Sequence, residues 1–376
     1  MDYADDAAEN DFRTRLRAWL VENAPHGGLP STDDDYWSHA AGWHQSLYEA
    51  GWFGVSFPTR YGGQGRSPVY EAIVDDELAW AGAPPKPSLG YIVHGMMRHA
   101  SEEIRDRFLP DMIAGTERWC QGFSEPDAGS DLAGLRTTAT LEGDEYVVNG
   151  HKVWTSYSDV ADWCILLART DAEVPKHRGL TAFAMSMHQP GVTQRPLKMI
   201  NGVSNEFGEL LIDGVPIPAA NRITEPGGGW AMAMTVLNHE RSPADLGYTA
   251  RYSRIVRELE RLVGSRGGAN PSARRSLGNA YVHSEVLRMH VKRRLSERLS
   301  DQEPGAEGAV DKVLMTTTEQ AVGQAAREIG LRNAVEDADP TWLNVYLYSR
   351  AATVMGGTSQ IQKNVIASQI LKLPNR

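Results

Sequence analysis

The residues best suited to chemistry lie in three short segments that are far apart in the sequence. One is Asn238-His239-Glu240-Arg241, which places a carboxylate beside a guanidinium at the end of an apolar run that begins at Trp230. A carboxylate within hydrogen-bond reach can remove a proton from a weakly acidic carbon. Taken alone, these residues are more simply explained as a solvated Glu–Arg pair, which contributes almost nothing to stability.

The second segment covers residues 119–131, where a strand-like run leads into a turn rich in small residues. Backbone N–H groups in such a turn can closely approach a bound ligand. A turn that merely carries polar residues explains the same pattern. The segment is therefore only a candidate ligand loop.

The third segment is Lys152-Val153-Trp154-Thr155-Ser156, which follows Asn149-Gly150. We interpret Asn149-Gly150 as a hairpin turn that opens a strand. Residues two positions apart on a strand share a face, so Trp154 and Ser156 could cover and polarise one planar ring. A core tryptophan beside a solvated serine is the more common outcome for such a pair.

The elements that must position these segments change in type twice along the chain. Helical periodicity, as in Phe12, Leu16 and Leu20, predicts an N-terminal helical bundle over residues 1–117. Short strand-like runs then predict a β-domain over residues 118–222, and helical periodicity returns over residues 223–376 as a C-terminal four-helix bundle. We therefore expect an α+β multidomain fold whose middle domain is a β-barrel or sandwich.

Composition excludes several classes of function. The net charge is −10 and no long Lys/Arg run occurs, which argues against nucleic-acid binding. The two cysteines, Cys120 and Cys164, are too few for a disulfide framework and fit strand interiors in a reducing compartment. The acidic N-terminus is unlike a signal peptide, and no apolar run approaches a membrane span. We expect a cytoplasmic protein.

Two of the segments resemble signatures of a known family. Met355-Gly356-Gly357-Thr358-Ser359-Gln360-Ile361, together with Phe123-Ser124-Glu125-Pro126-Asp127-Ala128-Gly129-Ser130-Asp131, resembles the motifs of the acyl-CoA dehydrogenases. With the segment at residues 152–156, three motifs occur in the family's order, and the resemblance covers nearly the whole chain. It implies a flavoprotein that uses FAD, binds no metal and oxidises an acyl-CoA thioester.

The position of the catalytic base needs a separate argument. Many members of the family carry their catalytic glutamate where this chain has Gly356. A subset, including the isovaleryl-type and long-chain enzymes, keeps a small residue there and takes its base from a Glu–Arg pair on the helix after the β-domain. The resemblance therefore implies Glu240 as the base and the Gly356 N–H as a donor to the thioester carbonyl. Asn238 and Arg241 would contact the substrate.

The resemblance also implies the other contacts residue by residue. Ser130 matches a serine that touches the coenzyme A moiety, and Thr358 could equally be a helix N-cap. Electrons would pass to an electron-transferring flavoprotein. The residues that would contact FAD are Gln121, Phe123, Ser124, Trp154, Ser156, Arg266, Thr358 and Gln360.

The adenine half of the FAD site departs from the family pattern. Arg266 stands at the arginine of an Arg-x-x-Phe-Gly segment, but Ala269 and Asn270 replace its Phe and Gly. The segment at residues 323–326 lacks the paired glycines of a Gln-x-x-Gly-Gly segment that a neighbouring subunit normally supplies. Some bacterial relatives that act on sterol side-chain thioesters form mixed tetramers in which two different chains share the cofactor site.

The expected assembly is thus a heterotetramer with a paralogous chain or a homo-oligomer, acting in fatty-acid or steroid side-chain β-oxidation. Two other interpretations stay open. One is a cofactor-poor subunit of a heteromer, and the other is a flavin oxygenase or oxidase on the same fold.

Overall fold

The computed structural model describes residues 5–25, 33–87, 90–203, 206–240, 246–265, 270–298, 305–331 and 340–374. Helices fill the first part: α1 (Ala7–Asn23), α2 (Asp33–Glu49), α3 (Pro68–Ala81), α4 (Gly90–His99) and α5 (Glu102–Ala114). Strands follow: β1 (Trp119–Gly122), β2 (Thr138–Glu142), β3 (Glu145–Ser156), β4 (Trp163–Arg169), β5 (Leu180–Ser186), β6 (Val192–Leu197) and β7 (Phe207–Pro218). The last part is again helical: α6 (Gly229–Glu240), α7 (Leu246–Ser265), α8 (Pro271–Arg298), α9 (Gly308–Ala325), α10 (Pro340–Ala351) and α11 (Ser359–Val365). The helix–sheet–helix order matches the fold class predicted from the sequence.

The N-terminal helices form where the periodicity predicts them. Phe12, Leu16 and Leu20 are buried on one face of α1, which begins with a capping box between Asp6 and Glu9. The side-chain oxygen of Asp6 accepts from the Glu9 N–H, and the Glu9 side chain accepts from the Asp6 N–H. These bonds satisfy N–H groups that have no partner inside the helix.

The middle domain is one sheet whose strands β4 and β5 are buried on both faces. Within the described residues the strand order is β1-β4-β2-β3-β7-β6, and β5 pairs with β4. Alternate residues of β4 enter different cores, since Ile165 packs with the N-terminal helices whereas Cys164 and Leu166 pack inside the β-domain. Cys120 and Cys164 are both buried and free, as their strand context predicted. The sheet is therefore the layer that joins the helical part to the β-domain.

Asn149-Gly150 is not a hairpin turn, contrary to the sequence interpretation. Both residues lie inside β3, where the pairing with β7 shifts register between Val148 and Gly150. Asn149 Oδ1 accepts from the Gly214 N–H at 2.8 Å, and a Cβ on Gly150 would lie 2.2 Å from Thr137 Oγ1. The dipeptide therefore serves a β-bulge and a close approach of two segments.

The end of the chain, predicted as part of the C-terminal helical bundle, contains two helices, α10 and α11, that are joined by a turn. The turn contains Gly356 and Gly357 in succession, with φ of +59° and +95°. Two left-handed residues cannot continue a right-handed helix, so α10 ends and α11 starts in a new direction. Helices α7, α8 and α9 pack around a shared core that includes Tyr252, Leu287 and Val322. None of the described helices is long and apolar enough to cross a membrane.

Close packing of α4 against α6 positions the end of α6. A Cβ on Gly95 of α4 would lie 2.5 Å from Val236 Cγ2 on α6, and Val236 is fully buried. A β-branched side chain in a packed core has little freedom to move aside. The glycine is therefore required for the distance between the two helices.

We expect Gly95→Ala to lower the free energy of unfolding by about 1–3 kcal/mol, because it overpacks this contact. Gly278→Ala is the matched control, since Gly278 is an exposed residue of α8 with no atom within 4 Å of the added Cβ. It should stabilise by about 0.5–1 kcal/mol through helix propensity. Urea unfolding measures both changes. Equal stabilities for the two variants would contradict the proposed contact.

Candidate active site

The candidate ligand loop continues directly from β1. Phe123 is buried, and its ring packs with the N-terminal core. Reciprocal backbone hydrogen bonds between Glu125 and Ala128, of 3.1 and 3.0 Å, close the turn that follows. Ser124 is partly buried, and its carbonyl accepts from the Val153 N–H at 2.9 Å. The loop is thus fastened to β3 next to Trp154.

A buried ion pair strengthens this connection. Lys152 Nζ donates to Glu125 Oε1 at 2.9 Å and to the Phe123 carbonyl at 3.1 Å. The carboxylate of Glu125 also accepts from the Arg136 N–H at 2.6 Å and from the Thr137 N–H and hydroxyl at 2.8 and 2.6 Å. Burial alone would raise the pKa of Glu125, but the charge and hydrogen bonds of its partners lower it below the usual value. Glu125 is therefore ionised at neutral pH.

The end of β3 is strained where it carries Trp154. The pairing with β7 shifts register between Lys152 and Thr155, and Trp154 and Tyr157 have φ of +60° and +62°. A bulky residue in the left-handed region costs about 1–3 kcal/mol, and such strain concentrates at functional sites. Trp154 is 63% exposed, whereas Thr155 is fully buried. Ser156 is partly buried, so the tryptophan and the serine both keep an accessible surface.

Several buried side-chain polar atoms of β1 and β3 make no hydrogen bond to the described residues. Among them are Oε1 of Gln121, on β1, and Oγ1 of Thr155, on β3. A buried polar group without a partner is costly, so each is suited to a polar ligand atom. A flavin ring, which is planar and carries hydrogen-bonding atoms, matches the chemistry of these oxygens and of the accessible face of Trp154.

Glu240 and Gly356 come together although 116 positions separate them in the sequence. A Cβ placed on Gly356 would lie 3.8 Å from Glu240 Oε1. Glu240 is the last residue of α6 and is exposed, and Gly356 is partly buried. The carboxylate therefore lies beside the point from which a side chain at residue 356 would extend.

Tyr91, on α4, links this carboxylate to the end of β3. Burial raises the pKa of Tyr91 well above its usual value, and the nearby groups Glu240 and Tyr157 raise it further. Tyr157 in turn packs edge to face with Trp37 of α2 at a centroid distance of 5.1 Å. Tyr91 thus lies near both candidate regions.

The other predicted site residues vary in position. Thr358 is the N-cap of α11 and accepts from the Ile361 N–H at 3.2 Å, which confirms the capping interpretation. Asn238 is partly buried on α6, and Ser130 and Gln360 are exposed. Arg241 and Arg266 lie outside the described residues. Their roles stay predictions.

Sequence reasoning missed three residues that support the site. Lys312 and Gln362 are both buried next to the glycine turn, and Gln362 Nε2 donates to the Gly356 carbonyl at 3.3 Å. Lys152 was part of a motif but received no role. For the two lysines, the signal available in the sequence was a lysine at a position of a strand or helix that is expected to be buried. Such a position rarely carries a lysine unless its charge is paired. Among the described residues, no group of three or more His, Cys, Asp or Glu side chains could hold a metal ion.

Comparison with known proteins identifies the class. Models of the acyl-CoA dehydrogenase N-terminal, middle and C-terminal domains match residues 6–116, 120–215 and 227–371. The chain therefore belongs to the acyl-CoA dehydrogenase family, and it is an oxidoreductase.

Individual relatives are similar over almost their whole length. Acyl-CoA dehydrogenase IpdE1 of Mycobacterium tuberculosis is 34% identical over 378 residues, which covers 97% of each chain. The Tcur3481-Tcur3483 steroid ACAD has 27% identity and a TM-score of 0.82, with 100% of both chains covered. The ChsE4-ChsE5 complex of Mycobacterium tuberculosis has 27% identity and a TM-score of 0.84, again covering 100% of both.

We expect Glu125→Ala to lower the free energy of unfolding by about 3–5 kcal/mol, because it leaves Lys152 buried without its carboxylate. The difference from the unsubstituted chain should shrink as the pH falls. A carboxylate whose pKa is lowered by folding stabilises above its unfolded-state pKa, and that stabilisation is lost as it protonates.

The matched control is Asp127→Ala in the same turn. Asp127 and Arg136 are both largely exposed and 3.6 Å apart, so this pair should contribute about 0–1 kcal/mol. Denaturant titration at several pH values measures both variants. A loss for Glu125→Ala no larger than that for Asp127→Ala would contradict the anchoring role of the buried pair.

Proposed function

We propose that this chain is an FAD-dependent acyl-CoA dehydrogenase that converts an acyl-CoA thioester to the trans-2-enoyl-CoA, with Glu240 as the base. The supporting observation is the 3.8 Å separation between Glu240 Oε1 and the Cβ position at Gly356. A carboxylate on α6 thereby lies within side-chain reach of the Cβ position at residue 356. The missing glutamate at that position is then compatible with the same chemistry.

The proposed proton transfer uses groups of this chain. Glu240 takes the α-proton of the thioester, and the Gly356 N–H donates to the carbonyl oxygen as negative charge develops on it. The left-handed conformation of Gly356 and the hydrogen bond from Gln362 Nε2 to its carbonyl hold the backbone of this residue. Bound FAD would supply the acceptor, at N5, for the hydride that leaves the β-carbon.

The residues proposed to hold FAD fit the group chemically. Gln121 offers a buried oxygen without a described partner, Trp154 an accessible aromatic face, and Ser156 a hydroxyl. Phe123 would act through its backbone, because its ring is buried in the core. Ser124, Thr358 and Gln360 complete the proposed cofactor contacts, with Arg266 at the adenine half. Ser130, Asn238 and Arg241 are proposed to contact the substrate.

We further propose that a paralogous chain completes the cofactor site. Two similar structures have names that each contain two chains, Tcur3481 with Tcur3483 and ChsE4 with ChsE5. The departures at residues 269, 270 and 323–326 weaken the adenine half in this chain. One of those structures is called a steroid ACAD, which supports a steroid-derived acyl group as the substrate class. Electrons would leave to an electron-transferring flavoprotein in the cytoplasm.

Glu240→Gln tests the base. We expect flavin reduction by a substrate to slow about 10²–10⁴-fold, since the amide cannot accept the proton. FAD content should not change. Glu225→Gln removes an exposed carboxylate just before α6 and should leave the rate unchanged. Stopped-flow absorbance of the flavin without oxygen provides the rate, and near-normal reduction in Glu240→Gln would refute the assignment.

Visible spectra of the chain alone and of the chain co-expressed with a paralogue from a neighbouring gene test the shared site. We expect the chain alone to be colourless and the complex to retain FAD that bleaches with acyl-CoA. A stoichiometric flavin that bleaches in the isolated chain would indicate a self-sufficient homo-oligomer. Rapid reaction of the reduced flavin with oxygen would instead favour an oxidase.

A further inference from the structure

Lys312 is a buried cation on α9 that lies next to the glycine turn. Its side chain is 4% exposed, and Nζ donates to the Ala352 carbonyl at 2.9 Å. Thr316, one helical turn later, donates its hydroxyl to the same carbonyl at 3.0 Å. Ala352 follows the last residue of α10, so both donors satisfy a helix-terminal carbonyl. If Lys312 had a purely structural role, that role would consist of this hydrogen bond to the Ala352 carbonyl.

The ammonium group also lies close to the proposed base. The Cβ position on Gly356 is 3.6 Å from Lys312 Cε and 4.0 Å from Lys312 Nζ, and it is 3.8 Å from Glu240 Oε1. The cation and the carboxylate thus approach one point from different helices. A buried ammonium is costly unless a negative charge compensates it, and Glu240 supplies a carboxylate at this place.

Other titratable groups lie near Tyr91 and the end of α6. Burial and the proximity of Glu240 and Tyr248 raise the pKa of Tyr91, so this phenol is neutral at working pH. The groups come from four helices: Tyr91 and His94 of α4, His239 of α6, which stacks on His94 at 4.0 Å, Tyr248 of α7 and Lys312 of α9. Of these, the lysine carries a full positive charge at neutral pH in its usual ionisation state.

We propose that Lys312 is a positioning residue that keeps the Glu240 carboxylate ionised and directed toward Gly356. This inference rests on the proposed function, because it assumes that Glu240 is the base. An opposite charge nearby favours the ionised form of a carboxylate. Removal of the positive charge therefore raises the pH at which Glu240 ionises, and the base is protonated over a wider acidic range.

The pH dependence of flavin reduction in the holoenzyme separates this role from a structural one. Lys312→Met keeps an unbranched apolar stem but removes the charge. We expect its acid limb to move up by about one pH unit, a tenfold loss of rate on the acid side, with normal rates well above the limb. Lys312→Arg keeps the charge and should show the limb of the unsubstituted enzyme.

Thr316→Val is the matched control, because it removes the other hydrogen bond to the Ala352 carbonyl and leaves the charge in place. Its acid limb should not move. An unshifted limb in Lys312→Met, or an equal shift in Thr316→Val, would overturn the proposal. If Lys312→Met does not fold, Lys312→Gln removes the charge while keeping an N–H donor for the carbonyl, and the same shift is expected.

An infrared titration without substrate provides a second measurement. The carbonyl stretch of protonated Glu240, assigned by its absence in Glu240→Gln, should persist to higher pH in Lys312→Met than in Thr316→Val. Identical midpoints would contradict the role of Lys312. Fast flavin reduction in Glu240→Gln would refute the proposed function itself. A slow Glu240→Gln together with an unshifted Lys312→Met would refute only the inference about Lys312.

Discussion

The buried ion pair between Lys152 and Glu125 is the interaction on which the middle of the structure depends. It joins the turn after β1 to the central part of β3, and these segments carry most of the proposed flavin contacts. A buried pair of charges is weak evidence for stability, because desolvation offsets much of the attraction. Its effect here is to specify one arrangement, since Glu125 also accepts from the backbone N–H groups of Arg136 and Thr137.

That fixed arrangement allows the neighbouring backbone to be strained. Trp154 and Tyr157 adopt left-handed conformations at the point where β3 and β7 change register. Such conformations persist only where the surrounding structure determines them, and the anchored segment at residues 123–125 is next to this point. Residues with an unfavourable backbone conformation therefore occur where a ligand would be held, whereas the surrounding strands adopt the conformations that their sequences favour.

The sequence predicted the order of helices and strands because burial of alternating or helical apolar positions decides that order. Phe12, Leu16 and Leu20 fill a core as their spacing indicates. Asn149-Gly150 was misassigned because the dipeptide that favours a hairpin turn also suits a bulge, and only Thr137, twelve positions earlier, shows which applies. Likewise, the division of the last helical stretch depends on two consecutive left-handed glycines, whose conformation the periodicity does not encode.

The candidate site shows the same limit at the level of chemistry. Motifs identified the segments, but the proximity of Glu240 to Gly356 depends on how α6 packs against α4 and where the turn after α10 lies. Gly95 sets the distance between α4 and α6, because any side chain there would meet Val236. Lys312 and Thr316 fix the position of the turn after α10 through their hydrogen bonds to the Ala352 carbonyl. A base carried by residue 356 would be positioned by the turn that contains it. A base on α6 instead requires both the packing of α4 against α6 and the hydrogen bonds to the Ala352 carbonyl.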